Sequence, residues 1–185
     1  MISRSKLWPQ TSQESWAQQP APKGTDYFVV FVDQLTRWPI IVPVKSLTTD
    51  ELIRSLNQYV FPNHGMMDTL VSDQGSAYTS NEFKQFAADR DIHINFVAKG
   101  NHKANGLAER VVGLIHKAVT KLAKGKYKHW HELLPIIEFN LRTTPHSTTG
   151  ITPAMALYGR DLKTGLLEIK LEEETALDER PYDEK

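Results

Sequence analysis

A run of six aromatic and β-branched residues closed by an aspartate, Tyr27-Phe28-Val29-Val30-Phe31-Val32-Asp33, does most to limit the folds open to this chain. Its apolar residues are consecutive rather than alternating, so a strand built from them must be covered on both faces. A second apolar run, Trp38 to Val44, follows after Thr36-Arg37, which reads as the hairpin connection. Pro39 and Pro43 lie inside that run and cannot donate to a ladder, which predicts an edge strand or a bulge.

Helices and further strands alternate after this hairpin. Thr48-Thr49-Asp50 is a capping cluster, and Leu52, Leu56, Tyr59 and Val60 then share one face of a helix from Glu51 to about Phe61. Pro62 is expected to stop it, with Asn63-His64-Gly65 as the turn. Thr69 to Asp73 reads as a buried strand. Thr79-Ser80-Asn81-Glu82 opens a helix to about Asp91, with Phe83, Phe86 and Ala87 inward. Ile92 to Val97 alternates like a strand. A long helix from about Ala104 to Ala123 carries Leu107, Val111, Leu114, Ile115, Ala118 and Leu122 at helical spacing, and a last helix covers about His129 to Leu141. The order β-β-α-β-α-β-α-α defines an α/β sandwich, with the first two strands antiparallel and the later ones parallel.

The 185 residues suit one domain with short extensions. Residues 1–24 are polar, with Gln and Pro throughout, and read as a disordered or atypical leader. Residues 25–160 form the domain, and 161–185 an acidic tail. No stretch approaches eighteen apolar residues, so no membrane-spanning helix is expected. The chain has no cysteine, which excludes disulfides, thiolate nucleophiles and cysteine-ligated zinc. An intracellular setting is compatible with this; no targeting signal is evident.

Formal net charge is zero, but it is unevenly spread. Residues 99–128 hold eight Lys or Arg against Glu109 alone, a net +7, whereas residues 168–185 are net −5. The basic stretch is either a surface for a polyanion such as nucleic acid or a solvated helix face.

Two carboxylates stand in contexts that chemistry can use. Asp73 ends the apolar run Thr69-Leu70-Val71-Ser72 and enters a glycine turn, Gln74-Gly75. Glu109 lies early in the long helix, in Asn105-Gly106-Leu107-Ala108-Glu109-Arg110, with thirty-five residues between it and Asp73. A carboxylate at a strand end and another on a helix is one way to hold a hard divalent cation.

Several segments together resemble the integrase catalytic core of retroviruses and long-terminal-repeat retrotransposons, most closely the gypsy-like type. They are Tyr27 to Asp33 with Thr36-Arg37-Trp38, Val71-Ser72-Asp73-Gln74-Gly75-Ser76, and Asn105 to Arg110. Downstream come Trp130, Leu133-Leu134-Pro135, Phe139-Asn140, Thr148-Thr149-Gly150, Thr152-Pro153 and Leu157-Tyr158-Gly159-Arg160. The similarity runs from about Lys23 to Arg160. It implies an RNase H-like fold with a mixed five-stranded sheet. It also implies a DDE site in which two Asp and one Glu hold two magnesium or manganese ions for DNA integration. Asp73 and Glu109 match the second and third ligands. His102, Lys103 and Asn105 fall where the family meets the DNA end, and Lys117 and Lys121 continue along the helix as phosphate contacts. For all five the alternative is ordinary capping or solvated surface. The family also acts as dimers or larger assemblies.

The first aspartate of the family should fall near Gln13 or Glu14, on a strand before Tyr27. The chain there reads Ser12-Gln13-Glu14-Ser15-Trp16, with no Asp and no β-rich run. The first strand is therefore expected to be missing or degenerate, with Glu14 the nearest acid. Asp33 stands where an acid is common in the family without being a ligand. Two carboxylates hold at most one hydrated magnesium weakly, so little or no strand transfer is expected. The chain then reads as a decayed or domesticated element, or one lacking its true beginning. The alternative class is a non-catalytic nucleic-acid-binding or protein-interaction module derived from such a core. A weaker third is a metal-dependent nuclease.

Overall fold

The computed structural model describes residues 7–11, 13–15, 27–97, 102–123 and 130–163. The element order is β1 (Leu7–Thr11), β2 (Gln13–Ser15), β3 (Tyr27–Val32), β4 (Pro39–Val44), α1 (Thr49–Ser55), a π turn (Leu56–Val60) and α2 (Phe61–His64). There follow β5 (Thr69–Ser72), α3 (Ser76–Thr79), α4 (Asn81–Ala88), β6 (His93–Phe96), α5 (His102–Ala123), α6 (Trp130–Thr143) and α7 (Pro153–Tyr158).

The strands form two three-stranded sheets, β1-β5-β6 and β2-β3-β4. β1 runs parallel to β5, and β5 parallel to β6, while β3 is antiparallel to both β2 and β4. β1 also lies against β3. Only Ser12 separates β1 from β2, so the stretch Leu7–Ser15 joins the halves into one mixed order, β4-β3-β2/β1-β5-β6. The first strand is thus degenerate rather than missing. Its sequence, Leu-Trp-Pro-Gln-Thr then Gln-Glu-Ser, has little β propensity, and its register slips between Leu7 and Gln10. Pairing with β3 and β5 places these residues in the sheet where their own preferences would not.

The consecutive apolar residues of β3 do serve two cores. Phe28, Val30 and Val32 pack with Ile41 against Val112, Ile115 and Val119 of α5 and Trp130, Leu134 and Ile137 of α6. Val29 and Phe31 face the other way, with Ile40 and Val42, toward Leu52, Leu56, Phe83 and Phe86. The fold is a sheet between two helical layers, with α5 and α6 on one face and α1 and α4 on the other.

One local reading needs correction: Pro62 does not stop its helix. The Phe61 N–H bonds back five residues to the Leu56 carbonyl, closing a π turn, and Pro62 then sits in the first turn of α2, where its missing N–H matters least. The helix expected to open in Thr79-Ser80-Asn81-Glu82 is α4, and Ser80 caps it by accepting from Phe83 N–H at 3.1 Å. Two short helices come in addition. α3 precedes α4, and α7 has its start written in Thr152-Pro153: the Thr152 hydroxyl accepts from the Met155 N–H at 2.9 Å, and proline follows at the first helical position.

Candidate active site

β5 occupies a central place in the sheet, and Asp73 is the first residue beyond its C-terminal end. That is where the open side of a parallel arrangement lies. Two hydrogen bonds fix it. Gly75 N–H donates to Asp73 Oδ1 at 3.0 Å, turning the chain sharply away from the strand. Ser72, fully buried, donates from Oγ to the Asp73 carbonyl at 3.0 Å. The side chain remains half-buried. The sequence signal for Ser72 and Gly75 was their place in the Ser-Asp-Gln-Gly turn, where an Asp side chain bonds the backbone two residues on.

α5 packs on β1 and β3 through Ala108, Val111, Val112, Ile115, Ala118 and Val119, all buried. Its other side carries Glu109, Gly113, Lys117 and Lys121, four residues apart and all exposed. Glu109 therefore stands on the solvent side of the helix together with both lysines. The sequence prediction of one face for Glu109 and Lys117 agrees with this. His102 and Lys103 are not in a loop before the helix: with Asn105, already expected inside it, they form its first turns. Arg110 donates to the Ser147 hydroxyl at 3.3 Å, tying α5 to the turn that follows α6. Lys124 lies outside the described residues.

Asp33 is excluded by its surroundings. It is 9% exposed, and its carboxylate accepts from Leu35 N–H at 3.3 Å, Thr36 N–H at 3.2 Å and Thr36 Oγ at 2.6 Å.

Where the family's first aspartate is expected, Ser12 lies outside the described residues and Glu14 pairs with Phe28. Among the described residues, no group of three or more His, Cys, Asp or Glu converges in a way that could hold a metal ion.

The fold is RNase H-like, the architecture of integrase catalytic cores. Residues 17–102 match the Integrase core domain family. The chain carries an integrase core domain of the retroviral and retrotransposon kind. It is 29% identical over 163 residues to the Pro-Pol polyprotein of simian foamy virus type 1, covering 85% of this chain and 14% of the relative. It is 32% identical over 142 residues to that of feline foamy virus, covering 77% of this chain and 12% of the relative. The chain thus spans a small part of these polyproteins. Among solved structures it is similar to a chain of the simian T-cell lymphotropic virus intasome in complex with PP2A regulatory subunit B56 gamma. There the TM-score is 0.71 at 18% identity, over 86% of this chain and 56% of that one. It is also similar to the HTLV-2 integrase catalytic core domain in complex with magnesium, in its trimeric form. That match has a TM-score of 0.64 at 19% identity, over 82% of this chain and 95% of that one. No helix among the described residues is long and apolar enough to cross a membrane.

Proposed function

We propose that this chain is a nucleic-acid-binding integrase core of gypsy-type retrotransposon origin whose own phosphodiester transfer is lost or severely weakened. The observation that carries this is the contrast at the end of β5. Asp73 follows β5, and Glu109, Lys117 and Lys121 share the exposed side of α5, while the sequence ahead of β3 reads Ser12-Gln13-Glu14, with no aspartate where the family has one. DNA is the partner, met by the first turns of α5 (His102, Lys103, Asn105) and by the lysine stripe, with the nucleus as its setting and self-assembly as its working state. Lysine contacts of this type add affinity and salt dependence and read no sequence.

A second reading keeps the transferase: Glu14 supplies the third carboxylate for magnesium or manganese. What favours it is that Gln13–Ser15 holds strand register with β3 despite its polar sequence.

Calorimetric titration with manganese separates the two, run on wild type and Asp73→Asn and paired with anisotropy on a labelled duplex. One weak equivalent or none, with duplex binding intact, supports the binding module. Two tight equivalents that disappear in Asp73→Asn would establish the transferase instead. Duplex affinity that does not fall in Lys117→Gln/Lys121→Gln, with a salt slope not reduced by about 1 per lysine, would sink the assigned DNA face.

A further inference from the structure

β4 is an outer strand of the sheet, and an outer strand offers a row of backbone donors and acceptors to any passing chain. The β3–β4 register is unbroken from Tyr27↔Val44 to Val32↔Pro39. In such a ladder alternate residues turn their N–H and C=O toward the partner strand, and those between turn them outward. Ile41 shows which set is which, because its N–H donates at 2.9 Å to Glu138 Oε1 on α6. Residues 39, 41 and 43 therefore face outward.

Each of these three positions lacks a donor to offer. Positions 39 and 43 are proline, with no N–H at all. Position 41 spends its N–H on Glu138. The first outward acceptor is covered too: Arg142 donates to the Pro39 carbonyl from Nε at 3.2 Å and from Nη2 at 3.0 Å. Arg142 also donates to Glu138 Oε1 at 2.6 Å, and its guanidinium lies 4.3 Å over the Trp38 ring. The edge of Tyr158 meets that ring at 5.2 Å between centroids.

This clamp sits against a desolvation cost. Burial pushes the Glu138 carboxyl above its ordinary range against the pull of Arg142, and burial lowers Arg142 as well. Both side chains are half-buried, and a pair of this type is weak evidence for stability.

We propose that Pro39, Pro43 and the Glu138–Arg142 clamp together seal the β4 edge against strand addition, by another copy of this chain or by an extended peptide. Any assembly of this core is thereby directed to its helical faces or to the far side of the sheet.

Two variants open the seal by different routes. Pro43→Val restores an outward donor without touching α6. Glu138→Ala/Arg142→Ala removes both members of the clamp, leaving no unpaired buried charge. The readouts are the mass in solution across a concentration series and the amide exchange of Ile41. Both variants, folded by circular dichroism, are expected to associate more strongly with concentration than wild type. In the dilute double variant, Ile41 exchange should speed up about tenfold, the loss of one hydrogen bond; at high concentration it should slow again. Adding Ile41→Pro to the double variant should abolish the extra association. Folded variants that associate no more than wild type would overturn the proposal. So would association that leaves Ile41 exchange fast, since a different surface would then be responsible.

Discussion

Asp33 and Asp73 each follow an apolar strand, and each is followed by a turn, yet the molecule treats them differently. Asp33 is buried and accepts three hydrogen bonds from its own hairpin. Asp73 is half-buried, and the Gly75 N–H reaches its carboxylate. The first carboxylate is consumed by structure; the second keeps an oxygen available for chemistry. Sequence motif alone does not separate the two. Counting the donors that converge on each carboxylate does.

The sharpest way to break this comparison is Asp33→Ala. It should cost about 3 kcal/mol, because the Thr36 N–H and hydroxyl lose a charged acceptor in a buried place. Urea unfolding reads it, and a loss under 1 kcal/mol would mean the hairpin does not depend on Asp33. Gly113→Ala tests the Glu109 face. A Cβ built at Gly113 meets nothing within 4 Å, and the residue is exposed in mid-helix. Stability should rise by about 0.5–1 kcal/mol. A fall would show that α5 is covered there by a second molecule.

Asp73→Asn should change stability by less than about 0.5 kcal/mol, since asparagine can still accept from Gly75. A thermal scan beside Asp33→Ala settles whether the two positions differ as described. The smallest effect is a tilt with pH. Burial raises the Glu138 carboxyl in the folded state, so folding takes up a proton there. That contribution is fully present below the unfolded value, about 4.3, and is lost as pH rises through the folded one. Wild type should therefore gain on Glu138→Gln as pH falls from 7 toward 4.5, in paired urea titrations. A constant difference would show that Arg142 already offsets the burial.

Much of the scaffold was legible because its residues vote together. Phe28 to Val32 had to be a doubly covered strand, and Phe83, Phe86 and Ala87 had to line one side of a helix; both hold. Pro39 and Pro43 announced an edge. The first strand was not readable, since Gln10, Thr11, Gln13 and Glu14 carry no apolar pattern and gain their place from neighbours 14 to 61 residues away. Of the site, Asp73 and Glu109 could be picked out by motif, and the exposure of Glu109 with Lys117 followed from helical spacing. Ser72 fell inside the expected buried strand, but the bond from its hydroxyl to the Asp73 carbonyl depends on a rotamer that the sequence does not fix.

The π turn at Leu56–Val60 has a consequence for how the α1–α2 segment tolerates change. An extra residue in one turn rotates everything after it by about 100°. That rotation sets Phe61 against Phe86, with ring centroids 6.2 Å apart and planes 12° from parallel. Pro62 enforces it, because an ordinary turn would drive the proline ring into the carbonyl of Gln58. The helix thus behaves as two gears meshed one tooth out of step, and Pro62 is the pin. Shortening the turn by one residue would bring the gears into regular pitch and carry Phe61 away from its partner.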